Sequence, residues 1–139
     1  MRVTLSDEAR QYLALVEEET DVAARDCVVE DDRLIVVVPP GEMGKAIGSG
    51  GERVQRVEDR VGKRVELVED ADTAEAFVAN ALSPAAVYNV TISENEDVVA
   101  YAEVAEEDRG VAIGTDGRTI DRARQLAERH FDVDDVQLM

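Results

Sequence analysis

The feature that most constrains the fold is an internal repeat, in which the second half of the chain restates the first. Residues 44–56 read GKAIGSGGERVQR and residues 110–122 read GVAIGTDGRTIDR, each match lying 66 positions after its counterpart. Six of these thirteen positions are identical and a seventh exchanges valine for isoleucine. Such self-similarity marks a duplicated structural unit. The chain of 139 residues is therefore predicted to fold as two domains of about 70 residues, each with a modest core.

The hydrophobic pattern predicts the same order of elements in both halves: helix, two strands, short helix, Gly-x-x-Gly loop, longer helix, strand. The predicted helices are 5–20, 42–47, 52–61, 73–82, 106–113 and 118–130, and the predicted strands are 26–30, 33–38, 64–69, 87–92, 98–104 and 133–138. The boundary falls near Asp70-Ala71-Asp72. We therefore predict one domain over residues 1–70 and another over 71–139.

The composition is strongly acidic, with 32 Asp and Glu against 15 Lys and Arg and a net charge of −17. A hydrophobic fraction of 45% and regular periodicity argue against disorder. An acidic, lysine-poor surface is typical of proteins from salt-accumulating halophiles, although an ordinary acidic protein is the alternative. The sequence holds no run of about 18 apolar residues and its N-terminal residues lack an apolar stretch, so we expect neither a membrane span nor a secretory signal. Its single cysteine, Cys27, excludes an internal disulfide. We expect a cytoplasmic protein.

The two Gly-x-x-Gly loops are the candidate binding sites. Glycine permits positive φ and close backbone approach, and the free N–H groups at the start of the following helix attract phosphate. Residues 45–64 and 109–129 together hold 11 of the 15 basic residues, so the acidic surface is relieved only around the loops. The alternative is that these basic residues form helix ion pairs with Glu52, Glu58, Asp121 and Glu128.

The loops carry a resemblance to the KH family of RNA-binding domains. Residues 47–54 read IGSGGERV and residues 113–120 read IGTDGRTI, which resemble the KH signature Ile-Gly-x-x-Gly-x-x-Val/Ile. Nearly the whole chain resembles the archaeal NusA-like transcription factors. The resemblance implies an α+β fold of two tandem type II KH domains, each α-β-β-α-α-β with a three-stranded mixed sheet packed on helices. It also implies binding of nascent single-stranded RNA during transcription elongation or termination, with RNA polymerase as a candidate partner.

On this basis the two loops and their basic neighbours are predicted to contact RNA. The candidate residues are Lys45, Ile47, Gly48, Ser49, Gly50, Gly51, Arg53 and Arg56 in the first domain, and Gly114, Thr115, Asp116, Gly117, Arg118 and Arg122 in the second. Asp116 would repel phosphate, so the first loop is expected to contribute more. Asp116 acting as a helix N-cap is the alternative.

Two other functions are compatible with the sequence. The KH folds could dock on RNA polymerase or a ribosomal partner while their grooves stay empty, or they could serve ribosome assembly or RNA decay. We predict no catalytic residues, metal site or cofactor, and we expect a monomer.

The acidic composition gives a testable expectation for stability. At about 1 M salt the Debye length is about 3 Å, so the self-repulsion of the chain is screened. Dialysis of potassium chloride from the protein, followed by circular dichroism, is expected to show unfolding. Full stability in dilute buffer would contradict the halophile interpretation.

Overall fold

The computed structural model describes residues 3–139, which separate into two compact units. The first unit is Thr4–Asp70, and the second contains Ala71–Met139. Each unit combines three helices with a three-stranded mixed sheet, so the predicted α+β fold class is confirmed. No helix among residues 3–139 has the length and apolar character needed to cross a membrane.

The elements follow the predicted order in both units. The first unit has α1 (Asp7–Thr20), β1 (Asp26–Val29), β2 (Arg33–Val38), α2 (Met43–Ile47), α3 (Glu52–Val61) and β3 (Arg64–Glu69), and the second has α4 (Ala74–Ala81), β4 (Val87–Glu94), β5 (Val98–Val104), α5 (Arg109–Ile113), α6 (Arg118–Phe131) and β6 (Asp135–Leu138).

Four predicted boundaries shift by two residues or more. Glu106–Asp108 form a tight 3-10 turn before α5, so the predicted helix over 106–113 is shorter. Strand β4 runs two residues further than predicted, and β6 begins at Asp135 because Val133 belongs to the turn that leaves α6. Helix α1 begins at Asp7, two residues later than predicted, because Ser6 is its N-cap and the Ser6 hydroxyl accepts a hydrogen bond from the Ala9 amide at 3.1 Å.

The topology of the sheets carries the loops. In the first unit β2 is the central strand, antiparallel to β1 and parallel to β3. A parallel pair needs a crossover connection, and this crossover consists of α2, the Gly-x-x-Gly loop and α3. The second unit repeats the arrangement, with β5 central and α5, the second loop and α6 between β5 and β6. Each loop is therefore built into the connection that closes its sheet.

The core of the first unit lies between the sheet and the helices. Strand β2 is buried along its whole length, and its alternate residues Leu34, Val36 and Val38 join one apolar cluster with Val16 of α1 and Val57 of α3. Residues two apart on a strand share a face, so this face of the sheet packs on both helices. That packing fixes the position of α3, whose first residue follows the loop.

In the second unit aromatic rings join the first and last helices. Phe77 of α4 is fully buried, and its ring centroid lies 5.3 Å from that of His130 and 5.1 Å from that of Phe131, both on α6. The tilted ring pairs have geometries that aromatic side chains prefer. Phe77 therefore holds α4 against the helix that begins at the second loop.

An ion pair fixes α6 to the sheet. Arg124 Nε donates to Asp135 Oδ1 at 2.9 Å, joining the helix to β6. Partial burial raises the pKa of Asp135. Hydrogen bonds from Gln137 and the Val136 amide, together with the charge of Arg124, lower the pKa by more than burial raises it. The net shift is downward, so the carboxylate stays charged at neutral pH and the pair is retained.

Phe77→Ala is expected to lower the free energy of unfolding by about 3–5 kcal/mol, because it removes a fully buried ring and leaves a cavity. Urea denaturation in molar potassium chloride measures the change. Tyr88→Ala is the matched control, since Tyr88 is 69% exposed on the edge strand β4, and it should change the value by less than about 0.5 kcal/mol. Equal losses in the two variants would contradict this account of the core.

Candidate nucleic-acid interface

The first loop has a backbone that depends on glycine. Gly48 follows α2 with φ 77° and ψ 175°, a region essentially restricted to glycine. Gly50 and Gly51 then take left-handed conformations with φ 64° and 79°. A Cβ on Gly48 would lie 2.7 Å from Cγ of Arg53, so the space beside this residue is already filled. Both conformation and space therefore require glycine at position 48.

The second loop repeats that backbone with a different residue at its centre. Gly114 has φ 80° and ψ 167°, and Gly117 has φ 75°. Asp116 takes φ 55° and ψ 27°, where Gly50 has 64° and 19°. Aspartate is one of the few residues that tolerate this region, so the two loops have the same shape although one carries an acid.

Asp116 does not act as a helix cap. The N-cap residue of α6 is Gly117, and no side chain caps that helix. Asp116 is exposed at the centre of the loop, which corrects the alternative that it serves as an N-cap. Its carboxylate instead places a negative charge on the surface that was predicted to meet phosphate.

The helices that follow the loops have no side-chain cap at their N-cap glycines. Their first amides, of Glu52 and Arg118, donate to the carbonyls of Ser49 and Thr115, and the next N–H groups of the first turn have no acceptor within the helix. The positive end of each helix dipole adds to this attraction for anions. Ser49 and Thr115 are exposed within the loops, and neither covers the helix start. A phosphate oxygen has the chemistry to accept from these amides.

The surface before each loop differs between the units. Ile47 and Ile113, at equivalent positions, are 37% and 40% exposed, an unusual state for isoleucine. Lys45 precedes the first loop, whereas Val111, 42% exposed, takes the equivalent place before the second. The first site therefore combines a cation with an apolar side chain, and the second presents two apolar side chains beside Asp116.

Two of the predicted basic residues of the first unit stay exposed in weak ion pairs. Lys45 Nζ lies 3.6 Å from an Asp21 carboxylate oxygen, and Arg56 Nη2 lies 3.6 Å from one of Glu52. Exposed pairs of this kind contribute little to stability. The predicted alternative of helix ion pairs is thus present at Arg56, but the pairs leave both cations accessible to a ligand.

Arg53 is arranged differently from the other cations. It lies half-buried in the first turn of α3, and its Nη1 donates to the Thr20 carbonyl at 2.8 Å and to the Lys45 carbonyl at 3.2 Å. Thr20 is the last residue of α1, a helix with no basic side chain in its last turn. Arg53, on α3, therefore supplies the positive charge that stabilises the C-terminal end of α1.

Arg122 is buried, which corrects the prediction that it contacts RNA. Only 7% of the residue is exposed, and its guanidinium donates to the Ala81 carbonyl at 2.9 Å and the Ser83 carbonyl at 2.8 Å. Ala81 ends α4, the counterpart of α1. Arg118, predicted at the same site, is half-buried at the start of α6.

In both units an arginine joins the helix after the loop to the C-terminal end of the first helix. The two arginines, however, do not occupy equivalent positions of the repeat. Arg122 is the repeat counterpart of the exposed Arg56, and Arg53 is the counterpart of Thr119. The two tying arginines lie one helical turn apart in the repeat. Sequence reasoning missed this role because the acceptors are backbone carbonyls, which no side-chain pattern reveals. The only signal was the run Glu17-Glu18-Glu19, which leaves the end of α1 without a cation.

Comparison with known proteins agrees with this geometry. Residues 8–74 match the KH domain family, and residues 74–138 match the family described as the NusA-like second KH domain. A protein of Halobacterium salinarum named "Probable transcription termination protein NusA" is 64% identical over 99% of both chains. The chain belongs to the archaeal NusA-like family.

A further relative and a solved structure extend the comparison. The protein of the same name from Halococcus morrhuae is 62% identical over 99% of both chains. The crystal structure of APE1850 is 31% identical with a TM-score of 0.86, covering 97% of this chain and 100% of that one. The predicted family is confirmed, and relatives from two halophiles support the halophile interpretation of the acidic composition.

The repeat supplies a matched pair of variants for the buried arginine. Arg122→Met should lower the free energy of unfolding by about 2–3 kcal/mol, because it leaves the carbonyls at the end of α4 without their charged donor. Arg56→Met changes an exposed residue at the equivalent position and should cost less than about 0.5 kcal/mol. Chemical denaturation in molar potassium chloride measures both. A larger loss for Arg56→Met would refute the distinction.

Proposed function

We propose that this NusA-like chain binds single-stranded RNA through the first Gly-x-x-Gly loop and acts on nascent transcripts in transcription elongation or termination. The observation that carries the proposal is the loop itself, which presents glycine backbone and the uncapped start of α3 beside exposed Lys45 and Arg56. KH loops of this kind hold about four nucleotides of backbone. RNA binding also follows from the KH family to which both halves belong.

The residues of the first site have different proposed roles, which follow from the chemistry of each group. Gly48, Gly50 and Gly51 let the sugar-phosphate backbone approach closely, and the amides of α3 donate to phosphate oxygens. Ser49 offers a hydroxyl at the same place, and Ile47 supplies an apolar surface for a base. These are contacts that function without long-range attraction between charges.

High salt requires contacts that do not depend on attraction between charges. Each phosphate neutralised by a cation contributes about −0.7 to the salt slope for single strands, so binding by a basic patch alone fades in molar salt. Backbone hydrogen bonds and apolar contact are retained under those conditions. The loop geometry therefore suits the medium that the acidic surface indicates.

The second loop is proposed as a weaker RNA site. Gly114, Thr115 and Gly117 reproduce the shape of the first loop, and Arg118 lies at the start of α6. Asp116 opposes phosphate at the centre of that loop, and Arg122 is buried away from it. We propose a monomer with RNA polymerase as a partner, the partner being inferred because the relatives are named as transcription termination proteins.

One observation favours a second function, that of a protein adaptor docking on RNA polymerase. Val111 and Ile113 are exposed beside Asp116, so the second site is apolar and acidic where the first is apolar and basic. RNA titration separates the two functions, since an adaptor would bind polymerase without binding RNA.

A reciprocal exchange at the loop centres tests the proposed function. Gly50→Asp should weaken RNA binding about tenfold and Asp116→Gly should strengthen the second site by a similar factor, because each change adds or removes a charge repelled by phosphate. Both substitutions respect the left-handed backbone already present. Fluorescence titration of short single-stranded RNA of random sequence in molar potassium chloride measures the affinities.

The stability of each variant serves as the control for that exchange. Nothing lies within 4 Å of a Cβ at position 50, so Gly50→Asp should stay folded, in contrast to substitutions of Gly48 that strain the loop. Absence of RNA binding by the native chain would refute the proposed function. Loss of binding only in an Asp116 variant would reverse the ranking of the two loops.

A further inference from the structure

We infer that Arg53 is a positioning residue for the first loop, which acts by holding the loop backbone in shape rather than by contacting phosphate. The inference rests on the proposed function, because the held loop matters only if it receives RNA. Arg53 and Arg56 are both predicted from the sequence to contact RNA, but the structure gives the two residues different surroundings. Arg56 is exposed beside a carboxylate, whereas Arg53 is half-buried against backbone.

The contacts of Arg53 surround the loop on both sides. Its aliphatic stem occupies the space beside Gly48, where a Cβ would meet its Cγ at 2.7 Å. Its Nη1 donates, at 3.2 Å, to the carbonyl of Lys45, which precedes the loop. Arg53 itself lies two residues after Gly51, the last residue of the loop. The side chain therefore joins the backbone before the loop to the helix after it.

The same guanidinium anchors this bridge to α1. Thr20 is 2% exposed, and its hydroxyl donates to the Val16 carbonyl at 2.6 Å and accepts from the Val22 amide at 3.2 Å. These bonds fix the end of the helix, so the Thr20 carbonyl is a rigid acceptor for Arg53 at 2.8 Å. The helix dipole favours a cation at the C-terminus of α1. This attraction keeps the Arg53 guanidinium directed toward α1 and away from the loop surface.

The second unit supports a positional role for this kind of contact. There Thr119 takes the place of Arg53, and a Cβ on Gly114 would meet its hydroxyl oxygen at 2.4 Å. The tie to the first helix of the unit, α4, is transferred to Arg122, one turn further along α6, whose guanidinium donates to the carbonyls of Ala81 and Ser83. In the first unit a single arginine, Arg53, both fills the space beside the loop glycine and bonds to the backbone that precedes the loop.

The salt dependence of RNA binding distinguishes positioning from contact. Arg53→Met keeps the apolar stem but loses the donor, and it should weaken binding about tenfold with an unchanged slope of log affinity against log salt. Arg56→Met is the matched control on the next turn, and it should reduce that slope by about 0.7. Arg53→Lys should recover most of the affinity, because its ammonium group can donate to one of the two carbonyls. The probe is short single-stranded RNA of random sequence in potassium chloride.

A second measurement needs no RNA. In the free protein, Arg53→Met should move the amide resonances of Gly48, Gly50 and Gly51, while Arg56→Met leaves them in place. A reduced salt slope for Arg53→Met, or unmoved loop amides, would overturn the inference. If the native chain binds no RNA, the proposed function fails, and the amide resonances alone decide whether Arg53 holds the loop.

Discussion

The parallel pairing of the last strand with the central strand is the constraint on which each unit depends. Strand β2 cannot pair in parallel with β3 through a tight turn, so the chain must cross over, and α2, the loop and α3 are that crossover. The buried face of β2 then fixes α3 through contacts such as that of Val36 with the core. The loop is exposed because it lies at the turn between two helices whose other faces are occupied.

This origin explains why the loop needs so few residues of its own. Its shape comes from positive φ at Gly48, Gly50 and Gly51 and from the anchoring of both flanking helices. No cap, metal or disulfide is required within it. Among the described residues, no group of three or more His, Cys, Asp or Glu is placed to hold a metal.

Much of this architecture was readable from the sequence, and the reasons are local. The repeat indicated two units, and the hydrophobic periodicity placed most element boundaries within one or two residues. Side-chain direction was less accessible. Arg56 and Arg122 match in the repeat, yet one is exposed and the other buried, because the carbonyl that each could reach depends on how the first helix ends. Such acceptors are backbone carbonyls placed by tertiary structure, and no side-chain pattern identifies them.

The equality of the two loop backbones has a consequence for how the family can diversify. Gly50 and Asp116 share one left-handed conformation, so a single codon change alters the charge at the centre of a loop without reshaping it. After a duplication, the two copies can drift to different affinities while each keeps its scaffold. Under the proposed function, the first copy binds RNA tightly and the second releases it quickly, a difference that suits a transcript moving along the protein as it is made.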